Sequence, residues 1–255
     1  MEKEPFIDFG GKIVVVSGAS SGMGRAISIE LSRRGARVVV LGRNRERLEE
    51  TQGLLEGSGH HLLTLDLEGH AEIVPKIRDL AGRIGRLYGL CHSAGIVETR
   101  PLAASTAEGV KRMLNVNFVS GIELVRAISR KDVMEEKGGS ILFISSVYGH
   151  VGVPAQVAYC GTKGGITAAA RAMAIELARR KIRVNVLSPG MVKTPMTEKA
   201  MSLLTEDQAR AIREAHPLGI GSPEDVAKAA VFLLAPQNPW ITGADLIIDG
   251  GLSAK

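Results

Sequence analysis

Long hydrophobic runs are missing from this 255-residue sequence. The most notable, Ile13–Val16 and Val38–Leu41, have the length of strands and fall far short of the roughly 20 apolar residues that a membrane helix needs. No membrane span is expected. The charged start Met1-Glu2-Lys3-Glu4-Pro5 is not followed by the apolar stretch of a secretory signal, so a cytoplasmic location is the expectation. Cysteine is scarce: Cys91 and Cys160 lack ligand spacing and any secreted-style framework, and they read as reduced core thiols. None of the six histidines has a ligand-spaced partner beyond the adjacent His60 and His61, so no metal is expected. Charge runs of one sign are also lacking. The net charge is +5, but the 32 Lys and Arg are interspersed with 27 Asp and Glu. That describes a solvated surface with room for a local phosphate pocket, and no nucleic-acid partner is expected. With no repeat, low-complexity tract or linker, residues 1–255 read as a single domain.

What the chain does contain is alternation. Short β-branched runs at Lys12–Ser17, Arg37–Leu41, His61–Leu65, Tyr88–His92, Ser140–Ile144, Arg183–Leu187 and Asp245–Ile248 alternate with helical patterns. The helices are expected at Met23–Arg34, Arg45–Leu55, Ala71–Arg83, Ala107–Glu136, Gln156–Arg179 and Pro223–Leu234. Strands alternating with helices argue for βαβ units and a doubly wound α/β fold, its mostly parallel seven-stranded sheet covered on both faces. The stretch 191–216 fits this rhythm poorly. As a long insertion after a strand, it is expected to be a lid over a binding cleft.

The first strand runs into Ser17-Gly18-Ala19-Ser20-Ser21-Gly22-Met23-Gly24, and a helix opens immediately afterwards. Glycines permit a sharp turn and close approach, while free N–H groups at a helix start attract an anion. A strand–turn–helix unit of this kind is a phosphate site in form. The second strand ends at Leu41-Gly42-Arg43-Asn44, where an acid would hold the ribose hydroxyls of NAD. Arg43 stands there instead, and a guanidinium can pair with a 2′-phosphate that a carboxylate would repel. The alternative is that Arg43, with Arg45 and Arg47, is the exposed start of a basic helix. Asp66, ending the third strand, can equally be a helix N-cap.

Tyr159 and Lys163, at i and i+4, share a helix face. A free tyrosine has a pKa of about 10, and a nearby ammonium is expected to lower it into a useful range. Thirteen residues before Tyr159, Ser146 ends the fifth strand at the carboxyl edge of the sheet, where a hydroxyl can stabilise charge growing on a substrate oxygen. A nucleophilic serine is the rival reading, but Phe143-Ile144-Ser145-Ser146-Val147 has no Gly-x-Ser-x-Gly elbow. His92 can be paired with it only by ignoring the plainer reading of a satisfied strand-end histidine.

Taken together these residues resemble the classical short-chain dehydrogenase/reductase family, over essentially the whole chain. Gly18 to Gly24 resembles its glycine motif, and Ser146, Tyr159 and Lys163 its active-site pattern. The resemblance implies a Rossmann-type fold and a hydride transfer between NADP(H) and a small-molecule carbonyl or alcohol, with a 3-oxoacyl thioester as one possibility. It gives Asn117 the role of holding a water in a proton relay through the lysine. It further implies cofactor contacts from Gly18, Ser20, Ser21, Gly22, Met23, Gly24, Arg43, Asn44, Asp66, Leu67, Ala94 and Gly95, with Asp66 on the adenine amino group. Tyr159 and Lys163 join them, as do Pro189, Gly190, Val192 and Thr194 from the segment that wraps the nicotinamide amide. One departure is His92-Ser93-Ala94-Gly95 where the family has Asn-Asn-Ala-Gly, which puts contacts by Ser93 in question. Gly164 and Gly165 inside a helix, with several nearby alanines, suit close helix packing, and the family's interface there implies a homotetramer. A non-catalytic NADP-binding sensor or scaffold is the alternative function.

Overall fold

A computed structural model describes residues 7–202 and 204–254. Its first half runs β1 (Ile13–Ser17), α1 (Gly22–Arg33), β2 (Arg37–Gly42), α2 (Arg45–Gly53), β3 (His61–Thr64), α3 (His70–Ile84) and β4 (Gly89–His92). The second half runs α4 (Ala107–Leu114), α5 (Ser120–Ile128), β5 (Gly139–Ile144), α6 (Val157–Leu177), β6 (Ile182–Pro189), α7 (Pro195–Met201), α8 (Glu206–Glu214), α9 (Pro223–Leu234) and β7 (Asp245–Ile248). The seven strands form one sheet in the order β3-β2-β1-β4-β5-β6-β7. Every pairing is parallel.

Alternating side chains of the central strands feed two cores, as the pleat dictates. Val14 and Val16 pack with α1, α2 and α9, whereas Ile13 and Val15 pack with α3, α5 and α6. All five residues of β1 are buried, which explains its unbroken β-branched sequence. Strand order reverses between β1 and β4, and at such a point the loops diverge to leave a crevice at the carboxyl ends. No helix among the described residues is long and apolar enough to cross a membrane. Cys91 is buried in β4, Cys160 is partly buried in α6, and both are free.

One expected element is divided. The pattern over Ala107–Glu136 forms α4, then a π-helical turn at Asn115–Val119, then α5, which stops at Ile128. Beyond it the backbone does better by pairing with the segment before β4: the Leu87 N–H donates to Val133 O at 2.8 Å, and the Glu135 N–H to Leu87 O at 3.0 Å. The insertion expected at 191–216 is folded. Thr194 and Thr205 each form a capping box, starting α7 and α8. His216 then ties the segment back, accepting from Met191 N–H at 3.2 Å on Nε2 and contacting Ile212 O at 2.8 Å through Nδ1.

Arg183 on β6 is buried, with no carboxylate partner among the described residues. Its guanidinium donates to the carbonyls of Leu233, Leu234, Ala235 and Ile241, which include the end of α9, where helical geometry leaves carbonyls unpaired. Arg183→Met should therefore lower the free energy of unfolding by about 2 kcal/mol or more, because buried carbonyls lose their donors. Urea denaturation reads this, and a change within experimental error would remove Arg183 from that role.

Candidate active site

The turn after β1 is built so that only glycine fits at its tight points. Gly18 has φ 71°, and a Cβ there would lie 2.8 Å from the Ala94 backbone nitrogen. A Cβ on Gly24 would run into the Gly18 carbonyl oxygen. Gly22, with φ 53°, opens α1 behind Ser21, whose side chain makes no capping hydrogen bond, and no acidic residue occupies the first turn. The leading N–H groups of α1 therefore face the cleft without a side-chain acceptor. Such a site attracts an anion, and the glycine cradle fits a dinucleotide pyrophosphate.

This turn forms one wall of a cleft of about 220 Å³. Gly18, Ser20, Ser21, Gly22, Met23, Gly24, Arg43, Asp66, Leu67, Ala94, Gly95 and Thr194 all line it. Asn44 does not; its side chain caps α2 by accepting from Arg47 N–H at 2.9 Å. Pro189, Gly190, Val192, Tyr159 and Lys163 also lie outside that wall. Val192 is buried in a bridge to Gly221, and Gly190 packs so close to Asp249 that a Cβ would lie 2.8 Å from its Cα. Asp66 does not cap α3, whose N-cap is Gly69; its carboxylate accepts from Glu68 N–H at 3.0 Å within the preceding loop.

Several lining residues escape sequence reasoning, among them Gly42, Leu65, Ile96, Val116 and Glu68. Glu68 is the consequential one. Its Oε1 lies 3.7 Å from Arg43 and 3.4 Å from Arg112, so the cation expected for a phosphate already shares a carboxylate with a second arginine. Asp66-Leu67-Glu68 displays the acid, but no local pattern signals that Arg112, 44 positions onward, comes to meet it.

Ser17 and His92 link β1 to β4. Ser17 Oγ and His92 Nδ1 are 2.8 Å apart. Ser17 Oγ also accepts from Ala94 N–H at 3.3 Å, and Ser17 O from Ser93 N–H at 3.3 Å. Burial pushes the imidazole down to about 3, with the Lys163 charge acting in the same direction. It is neutral and structural, although its Nε2 is buried without a partner. It does not pair with Ser146.

Beyond the cradle, Lys163 is buried and its Nζ donates to Ile144 O at 2.8 Å. The ammonium lies 5.6 Å from the centre of the Tyr159 ring, as the i, i+4 spacing requires. Ser145 Oγ donates to Lys163 O at 2.9 Å, fastening the end of β5 to α6, and buried Ser146 follows directly. Gly149 and Gly164 let the loop after Ser146 touch α6, since a Cβ on Gly149 would lie 3.0 Å from Gly164 N. That intramolecular contact accounts for Gly164 in a helix. Gly165 sits against Phe118.

One expectation needs correction. Burial pushes Tyr159 up to about 12, opposed by a hydrogen bond from Ser146, so desolvation outweighs the lowering expected from the lysine. Burial also pulls Lys163 down to about 8. The Asn117 side chain is hydrogen-bonded to protein groups on both sides. Its Oδ1 accepts from Ile96 N–H at 2.7 Å, while its amide donates to Ile96 O at 2.9 Å and to Thr162 Oγ1 at 3.2 Å.

Comparison with known proteins agrees with this geometry. The family described as Enoyl-(Acyl carrier protein) reductase matches residues 18–253. Carbonyl reductase family member 4 of Xenopus laevis is 35% identical over 243 residues, spanning 94% of this chain and 98% of its own. The human 3-oxoacyl-[acyl-carrier-protein] reductase is 35% identical over 242 residues, with 94% and 98% covered. The crystal structure of a dehydrogenase/reductase from Sinorhizobium meliloti 1021 superposes with a TM-score of 0.87 at 30% identity, covering 96% of each chain. The chain belongs to the short-chain dehydrogenase/reductase family of oxidoreductases, whose general cofactors are nicotinamide dinucleotides.

Because Gly24 has no space for a methyl group, Gly24→Ala should weaken nicotinamide dinucleotide binding at least tenfold. Titration of reduced-nicotinamide fluorescence measures this. Affinity unchanged within twofold would contradict the cradle.

Proposed function

We propose that this chain is an NADP(H)-dependent reductase of ketones, reversible toward secondary alcohols. The observation that carries the proposal is the buried Lys163 ammonium beside the Tyr159 ring, next to Ser146, at the carboxyl edge of a sheet that also carries the glycine cradle. The bound cofactor supplies the hydride. Ser146 and Tyr159 hold the substrate oxygen through their hydroxyls, stabilising the charge that develops there. With a pKa pushed up to about 12, Tyr159 stays protonated at neutral pH, which suits it to donate its proton to that oxygen. The Lys163 charge favours the phenolate left behind. Asn117 contributes by position: it holds Ile96 and Thr162, and through them the cleft wall and α6.

Arg43 supports the choice of NADP(H), because its guanidinium lines the cleft and is held only by an exposed ion pair, of a kind worth about 0–1 kcal/mol. A 2′-phosphate can draw it away from Glu68. The substrate class is proposed from the relatives' names, and a 3-oxoacyl thioester is the first compound to test. The segment 191–216 is proposed as the lid, since Thr194, Pro195 and Met196 already flank the cleft. A homotetramer is proposed from the family resemblance, and Ile175, 80% exposed on α6, supplies uncovered apolar surface for it.

Tyr159→Phe should abolish ketone-dependent NADPH oxidation and leave the NADPH dissociation constant within about twofold; turnover above a tenth of wild type would defeat the mechanism. Arg43→Ala should weaken NADPH tenfold or more with little effect on NADH, whereas Glu68→Gln should strengthen NADPH alone. Equal effects on both cofactors would refute the assignment. The Lys163 pKa is lowered to about 8, so its cation is present below that pH and lost above it. Reductive kcat/KM should fall as pH rises through about 8, and a profile flat to pH 10 would exclude this role.

A further inference from the structure

A second cavity, of about 730 Å³, lies at the amino ends of the strands. It is bordered by Lys12 before β1, Tyr88 before β4, Gly139 of β5 and Ile182 of β6. The dinucleotide cleft opens at the opposite ends. With five residues in β1, at about 3.3 Å each, the two sites are on the order of 16 Å apart through the sheet.

Charge sets its first property. Lys12, Lys137, Lys181 and Arg183 line it against one carboxylate, Glu135. Glu135 is taken by Lys12 at 2.7 Å. Among the described residues no carboxylate lies within ion-pair distance of Lys137 or Lys181. Arg183, buried at the base, donates to carbonyl groups and lies beside the Tyr88 hydroxyl, and no carboxylate among the described residues lies within ion-pair distance of it.

Apolar surface sets the second. Trp240 borders the cavity beside Pro236 and Pro239, and it is 97% exposed. An uncovered indole beside free cations suits a ligand that is anionic at one end and apolar at the other.

The rim is rigid. Lys181 holds φ 55°, a left-handed conformation unusual for a residue with a side chain. Its carbonyl accepts from Gly139 N–H at 3.1 Å, and a Cβ on Gly138, with φ 100°, would collide with that carbonyl. The backbone thus fixes Lys137 and Lys181 on adjoining turns facing one cavity.

We infer that this cavity binds a small amphipathic anion, its carboxylate or phosphate held by Lys137 and Lys181 and its apolar body laid against Trp240. The site is separate from the dinucleotide cleft and does not depend on the cofactor or substrate assigned above.

The sequence holds a single tryptophan, so intrinsic tryptophan emission reports on Trp240 alone. The assembled protein would be titrated with octanoate, octyl phosphate and octanol, without cofactor and again with NAD+ or NADP+ present. Octanoate or octyl phosphate should shift the emission saturably, and the tighter of the two identifies the headgroup; octanol should not. Lys137→Gln combined with Lys181→Gly, a residue that accepts φ 55° freely, should raise the dissociation constant at least tenfold and leave Tm and turnover unchanged. Lys137→Gln alone, on an exposed side chain, should raise it at least threefold and serves if the pair impairs folding. The inference is overturned if no saturable shift occurs, if octanol acts like octanoate, or if the variants bind as wild type does. It is also overturned if acrylamide fails to quench Trp240 in the free protein, because a second copy would then already cover the site.

Discussion

A desolvated ammonium organises this molecule's chemistry. Lys163 is buried at the end of α6 that meets the carboxyl edge of the sheet, where its Nζ donates to Ile144 O. Burial that costs the charge this much is tolerated only where surrounding groups are fixed, and here they are. Ser145 fastens the Lys163 carbonyl, and the Gly149–Gly164 contact closes the loop behind Ser146. On the other side, the π-helical turn places Asn117 to hold Ile96 and Thr162. Tyr159, desolvated by the same packing, holds its proton more tightly than a free tyrosine, as the proposed role of proton donor requires. Fold and reaction meet at this point because the crevice exists only where strand order reverses.

The cofactor end follows a different logic. There the backbone does the work: Gly18 and Gly24 admit close approach, and α1 offers uncapped N–H groups. Side chains enter only at the periphery, where Arg43, Glu68 and Arg112 share charge in solvent. Such exposed pairs are weak and exchange partners readily. The proposed discrimination between cofactors therefore rests on the most adjustable contacts in the site.

Much of this was legible in the sequence because it is local. The β-branched runs placed all seven strands to within one or two residues, and Tyr159/Lys163 and the glycine turn carry their chemistry in their spacing. What escaped depends on distant partners. The pattern from Ala107 continues past Ile128, and only the pairing of Leu87 with Val133 ends the helix. Glu68 reads as an ordinary surface acid until Arg43 and Arg112 converge on it. The raised proton affinity of Tyr159 is not legible in the sequence, because spacing reveals the neighbouring cation but not the degree of burial. His92 reads as a departure from the family pattern, and its bond to Ser17 shows how the link between β1 and β4 is kept.

The central claim is that Lys163 is a desolvated cation whose charge is lost near pH 8. Side-chain nitrogen NMR of the cofactor-free protein, with Lys163→Arg used to assign the signal, tests it directly. A midpoint near 8, well below the ordinary lysine value of about 10.4, is the result this account predicts. An unshifted midpoint would contradict it.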